Sequence, residues 1–172
     1  NPKVAQLSPL LTMPFRHNGY CFYSFNDGQT LVDEIRGTDC YLGDTSAQPT
    51  TAKTLLFGDS YAGHSEPFFD VLFKAHEQSF QAIATNWCTP SFSDNFPGPT
   101  THIAYQQCLI NRAYLQKNMH LYTNIIFAGA WDDALAQHQL ENIKQVIKRA
   151  ADLKINVFIM PAPQRYKHNP LR

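Results

Sequence analysis

The sequence predicts an α/β protein built on an open parallel sheet with helices on both faces. Three observations carry that prediction. From Thr54 onward, compact apolar runs alternate with stretches of helical periodicity. The runs are short, as strands buried on both faces are. The 172-residue chain, 44% hydrophobic and only 16% charged, holds enough apolar material for one sizeable core.

Thr54 to Phe57 is the first such run and ends in Gly58-Asp59-Ser60, as a buried strand entering a turn does. Ser65-Glu66-Pro67 reads as a helix start, with Phe68, Leu72, Ala75 and His76 on one face. Ser79 to Thr85 is a second strand. Pro90, Pro97, Gly98 and Pro99 then forbid regular structure over a long loop. His102 to Tyr122 has a helical pattern, and Thr123 to Gly129 is a third strand. Leu140, Ile143, Val146, Ile147 and Ala150 recur at helical spacing, with Glu141, Lys144, Lys148 and Asp152 forming a solvated face. Ile155 to Met160 closes the series as a fourth strand, stopped by Pro161-Ala162-Pro163.

The first 52 residues differ in texture. Turn formers such as Pro9, Pro14, Asn18-Gly19, Asp27-Gly28 and Gly43-Asp44 are interrupted only by short apolar pieces, Tyr20 to Phe25 and Leu31 to Ile35. This part reads as a loop-rich extension pinned by disulfides. Four cysteines form two local pairs, Cys21 with Cys40 and Cys88 with Cys108, without a Cys-x-x-Cys spacing or neighbouring histidines, which argues against zinc. Three connectivities are open, as is the alternative of four reduced, buried cysteines. Spacing favours disulfides, and the sequential pairing closes loops worth about 3 kcal/mol each in the chain-entropy model. Disulfides imply an oxidising compartment.

Formal net charge is zero, which removes the electrostatic case for a nucleic-acid partner. No apolar stretch approaches the roughly 20 residues that cross a bilayer. The chain begins at Asn1-Pro2 without Met or a signal-peptide pattern and ends in loop-like Pro170-Leu171-Arg172, so it reads as a fragment or excised domain.

In an open parallel sheet the active crevice lies outside the carboxyl ends of the strands. Three loops therefore matter: Gly58 to His64, Asn86 to Thr101 and Gly129 to Asp133. A hydroxyl at Ser60 sits near the positive end of a helix, among backbone N–H groups able to hold an oxyanion, where an acyl-transfer nucleophile belongs. The structural alternative is a helix cap, with Gly58 and Asp59 as turn residues. Trp87 and Trp131 fall on crevice loops, where they either wall a sugar site or pack in the interior.

Thr54 to His64 with its Gly-Asp-Ser, the following helix, and the later Cys88 and Cys108 resemble the SGNH/GDSL hydrolase superfamily. The chain is most similar to the SGNH domain fused to acyltransferase-3 membrane proteins that O-acetylate bacterial surface polysaccharides, including lipopolysaccharide O-antigen. The resemblance implies a three-layer, flavodoxin-like α/β/α fold over residues 53–172, with residues 1–52 as an extension packed on it. It implies Ser60 as nucleophile and oxyanion donor through its own N–H, with Gly58 and Asp59 supporting the turn. The superfamily's second-block glycine falls at Asn86-Trp87-Cys88, and its third-block asparagine at Gly129-Ala130-Trp131-Asp132. Trp87, Cys88 and the Trp131 indole N–H are the candidate substitutes.

The superfamily's general base lies in an Asp-x-x-His, with His taking the serine proton and Asp orienting the ring. No Asp in this sequence is followed by His at that spacing, so the resemblance places that element beyond Arg172. His64, four residues after Ser60, and His168, after the fourth strand, are the alternative bases, each set against a structural role. The five other histidines have no distinguishing feature.

The function implied is acetyl transfer by way of Ser60 onto a cell-surface polysaccharide, from a donor delivered by a fused integral-membrane acyltransferase. Location in the periplasm, tethered to the inner membrane, follows from the same resemblance. Neither metal nor cofactor is implied, and the isolated domain is expected to be monomeric. Two other readings stand beside it: an acetyl-esterase, and a catalytically inactive glycan-binding domain of the same fold.

Overall fold

The computed structural model describes residues 19–24, 38–46 and 52–162. Leu31 to Ile35, Pro163 and His168 lie outside them. Among the described residues, six strands and four helices follow one another: β1 (Phe22–Tyr23), β2 (Tyr41–Gly43), β3 (Thr54–Gly58), α1 (Ser60–Ala75), β4 (Ser79–Thr85), α2 (Ile103–Asn118), β5 (Asn124–Ala128), α3 (Trp131–Ala136), α4 (Leu140–Asp152) and β6 (Asn156–Ile159). A single 3-10 turn, Met119–Leu121, ends α2.

The strands form one sheet in the order β1-β4-β3-β5-β6, all parallel, with β2 added antiparallel to β4. Alternation of side chains across a strand divides the apolar runs between two cores. Leu55, Phe57, Ile83, Ile125 and Phe127 face α2 and α4, meeting Leu115, Val146 and Ala150. Leu56, Ala82, Ala84 and Ile126 face the other way and pack with Ala62 and Phe69 of α1. Both faces of β3, β4 and β5 are thereby covered, as their uninterrupted apolar runs require, whereas the edge strand β6 leaves Phe158 and Ile159 exposed.

The outer edge of β4 is shared. β1 pairs with Ala84 and Thr85, and β2 pairs with Ser79, Phe80 and Gln81. The two short strands run apart from a common point where Cys21 and Cys40 form a disulfide with Cα atoms 5.7 Å apart. The Cys40 carbonyl accepts from Ala82 N–H in the gap between them. The loop-rich extension thus contributes two strands to the main sheet, where the sequence offered only an apolar piece at Tyr20 to Phe25. Cys88 and Cys108, both fully buried, form the second disulfide, which ties the loop after β4 to α2.

Two helix assignments differ from the sequence reading. α1 starts at Ser60 instead of Ser65, because the Asp59 side chain accepts from Tyr61 N–H and caps the helix five residues earlier; Pro67 then lies inside it. The buried face moves accordingly, to Ala62, Glu66 and Phe69, while Phe68 and Leu72 face solvent. Glu66 is buried because its carboxylate accepts from the Cys21 N–H, 2.7 Å away. The second difference is α3, a six-residue helix in what read as a loop, with Asp132 and Asp133 in its first turn.

Candidate active site

The carboxyl ends of β3, β4 and β5 open on a cleft of about 230 Å³, lined by Asp59, Trp87, Thr89, Ala130, Asp133 and Gln137 among others. Each wall is built differently.

The first wall is the β3–α1 corner. Gly58 lies so close to β5 that a Cβ on it would stand 1.8 Å from the Ala128 carbonyl oxygen, so only glycine lets the chain turn here. Asp59 follows, buried, with Oδ1 accepting from Tyr61 N–H and Oδ2 from Ala130 N–H, each at 2.8 Å. One carboxylate thus receives donors from the starts of two helices, α1 and α3, and fixes their separation. Burial pushes its pKa up from 3.8 to about 6, against the two N–H bonds that pull it down; the nearby Asp133 adds to the rise.

Ser60 is the first residue of α1 and half-buried. The cap role belongs to Asp59, which leaves the Ser60 hydroxyl for other work. Tyr61 N–H goes to the Asp59 side chain, and Ala62 and Gly63 N–H groups both reach the Asp59 carbonyl. The Ser60 N–H, a first-turn donor, has no acceptor among the described residues.

The second wall is the loop after β4. Trp87 holds a φ of 55°, a left-handed conformation that favours glycine and is costly for so large a residue. It lies within Asn86-Trp87-Cys88, the stretch where the superfamily resemblance expects a glycine. The Trp87 carbonyl accepts from Thr89 N–H, while no described residue accepts from the Trp87 N–H. Its ring is held by Phe96 and His102, both near perpendicular at 6.3 and 5.2 Å, and by Gly98, where a Cβ would come within 2.8 Å of the indole.

Arg112 of α2 anchors this loop from the interior. Its guanidinium donates to the Thr89 carbonyl (3.0 Å), the Thr89 hydroxyl (3.1 Å), the Ser93 carbonyl (2.9 Å) and the Asn95 carbonyl (2.7 Å). Its burial pulls its pKa down to about 10.

The other candidate donors are engaged elsewhere. Cys88 is buried in its disulfide and its N–H reaches the Thr85 carbonyl at 3.3 Å. The Trp131 indole N–H donates to the Met160 carbonyl at 2.6 Å, and its ring lines a separate apolar groove with Phe127 and Ile147. His64 is exposed and tilted against Tyr61 with ring centres 6.1 Å apart. No hydrogen bond joins a histidine to Ser60 among the described residues, and no group of three metal-ligating side chains occurs among them. Sequence reasoning passed over Gln137, which lines the cleft, and Arg112, which anchors its wall from α2, and it reached Asp133 only as the end of a crevice loop.

An open α/β sheet with a helix capped by Asp59 and a cleft at the carboxyl ends of its strands defines the class of fold. Within it the chain belongs to the SGNH domain family that is fused to AT3 domains, whose model matches residues 21–172. No curated protein and no solved structure matches. Membership supports a hydrolase- or acyltransferase-like role, and the fusion is consistent with tethering to a membrane acyltransferase domain. No helix among the described residues is long and apolar enough to cross a membrane.

Proposed function

We propose that this protein transfers an acetyl group by way of Ser60 onto a bacterial cell-surface polysaccharide, in the periplasm, as part of a larger membrane acyltransferase. The observation that carries the proposal is the β3–α1 corner: a serine relieved of capping duty by Asp59, which itself lines the cleft, with a first-turn N–H that has no acceptor among the described residues. In this scheme the Ser60 hydroxyl attacks the acetyl carbonyl of a donor supplied by the membrane domain. The oxyanion is held by the N–H groups of Ser60 and Trp87, both without another acceptor among the described residues. Collapse expels the donor's leaving group and leaves acetyl-Ser60; a sugar hydroxyl then attacks, and the serine is regenerated.

The Ser60 proton passes to a histidine acting as general base. The resemblance assigns that role to an Asp-x-x-His, which residues 1–172 do not contain. We further propose that residues 1–52 belong with the domain as an edge of its sheet, a view supported by the pairing of β1 and β2 with β4.

The test is Ser60→Ala in the full-length protein. Glycan O-acetylation measured by mass spectrometry is expected to fall to background, about 10³-fold or more for loss of a nucleophile, with the unfolding midpoint unchanged. Acetylation at the parental level in a folded variant overturns the proposal.

A further inference from the structure

Asp59 ties two sides of the cleft together through a single side chain. Oδ1 accepts from Tyr61 N–H in the first turn of α1, and Oδ2 accepts from Ala130 N–H at the start of α3, each at 2.8 Å. The second bond spans 71 residues, and both of its ends line the cleft. α3 has little else to hold it. Six residues long, it buries only Ala134, and no side-chain hydrogen bond caps it among the described residues. The Trp131 indole N–H on the Met160 carbonyl is its other side-chain anchor. An element with so few buried contacts takes its position from the bonds at its ends.

A carboxylate accepts both bonds because it is ionised. Protonation turns one oxygen into a donor, so one of the two N–H groups loses its acceptor. Geometry selects which. Tyr61 lies two residues away in the same helical turn, so its bond survives without movement of the chain. Asp59 and Ala130 both line the cleft, where water can replace Oδ2 as acceptor and deliver the proton. Burial brings that proton within reach of mild acid: Asp59 is 3% exposed, and desolvation, with Asp133 nearby, raises its pKa to about 6. Around it, α1 presents Tyr61, with His64 exposed against the Tyr61 ring, and α3 presents Asp132 and Asp133. β3 and β5 lead into Gly58 and Gly129, and the loop after β4 presents Trp87 and Thr89, with His102 engaged by the Trp87 ring and Ala104 N–H. No Lys or Arg lines the cleft among the described residues.

We propose that Asp59 is a proton-operated latch: ionised, it fixes α3 against the start of α1, and protonated, it releases Ala130 N–H, so the α3 wall of the cleft is held at neutral pH and loosened in acid. The latch stands on its own geometry; as regulation of the Ser60 site it rests on the acyl-transfer reading. A wall that loosens in acid is compatible with a fold that gains stability there, because protonation also removes the cost of a buried charge.

The experiment is hydrogen–deuterium exchange of the full-length protein between about pH 4.5 and pH 7.5, corrected for the intrinsic pH dependence of exchange and read at single amides by electron-transfer fragmentation. Protection of Ala130 is expected to fall about tenfold from the higher to the lower pH, the loss of one charge-assisted hydrogen bond. The midpoint is expected at about pH 6, while Tyr61 and the β5 amides of Ile125, Ile126 and Phe127 change by less than about twofold. In Asp59→Asn, protection of Ala130 is expected to be flat across the range. In Asp133→Asn, which removes a like charge, the midpoint is expected at lower pH. Constant protection of Ala130 in the parent, loss at Tyr61 instead, or a transition that persists in Asp59→Asn overturns the latch. Should Asp59→Asn not fold, Asp133→Asn decides: a lowered midpoint upholds the latch and an unmoved one overturns it. Labelling of Ser60 by a fluorophosphonate at the higher pH reports separately on the serine. An Ala130 transition without labelling retains the latch and sinks the acyl-transfer reading, whereas labelling without the transition does the reverse.

Discussion

The two walls of the cleft reach the same precision by opposite means. The β3–α1 corner is local: Gly58, Asp59 and Ser60 are consecutive, and the tie to the opposite side is the one bond from Ala130 N–H to Asp59. The Trp87 wall is assembled from afar, by a disulfide spanning 20 residues and an arginine whose bonds span 17 to 23. A local wall depends on steric fit at single atoms, and a distant one on the sum of several anchors. Substitution should therefore break the first abruptly and loosen the second by degrees.

The largest effect is expected at Gly58→Ala. Its Cβ would meet the backbone oxygen of Ala128, its register partner, which no rotamer change can relieve, so the β3–β5 ladder has to part. Destabilisation above about 4 kcal/mol is expected, the range reserved for strain inside a packed core. Urea unfolding measures it, and a loss under about 1 kcal/mol would show that the corner yields more easily than its geometry implies.

Removing the second disulfide by Cys88→Ala with Cys108→Ala comes next, at about 3 kcal/mol for a loop of this length. The Cys21–Cys40 bridge closes a loop of nearly equal span, 19 against 20 residues, so the entropic losses should match. Only the Cys88 pair adjoins Trp87, and only its loss should raise amide exchange in residues 87–95. Equal exchange changes in both double variants would erase the distinction between sheet edge and cleft wall.

This contrast also explains what the sequence could tell. Strand Ser79–Thr85 and helix Leu140–Asp152 were legible to within a residue because their periodicity is local and matches burial. The Gly-Asp-Ser corner was legible for the same reason, being three adjacent residues with turn and cap chemistry. The start of α1 was misplaced because Pro67 is a strong breaker signal, yet the Asp59 cap overrode it. β1 is two residues long and exists only because β4 offers an edge beside a disulfide, so no pattern announces it. Arg112 looked like any helical charge; only the folded loop shows four acceptors converging on it. The destination of the Trp131 N–H was equally hidden, since Met160 lies 29 residues away.

Arg112→Met tests the distant wall without touching its disulfide. The aliphatic stem is kept, while the buried acceptors on Thr89 and the part-buried carbonyls of Ser93 and Asn95 lose their donor, which should cost about 2 kcal/mol. Because the partners are carbonyls and a hydroxyl, no carboxylate is orphaned and the loss should depend little on salt. A thermal unfolding series at low and high ionic strength checks both points. A strong salt dependence would mean that Asp94 contributes more than the carbonyls do.

Asp59→Asn is the smallest change and the most discriminating one. The amide offers one acceptor oxygen, and its NH₂ faces one of the two N–H donors now bound, so about 1 kcal/mol should be lost at pH 7. The sign of the pH dependence follows from the raised pKa. Between pH 3.8 and about 6 the folded protein holds the Asp59 proton while the unfolded chain releases it, so unfolding is progressively favoured as pH rises. The contribution of Asp59 is thus fully present below pH 3.8 and lost above about 6. Asparagine does not titrate. The stability advantage of the parent over the variant should therefore be greater at pH 4 than at pH 7, as read from urea midpoints across that window. A difference that stays constant would mean that the two backbone donors outweigh burial at Asp59, and that the local wall is held by a carboxylate ionised throughout.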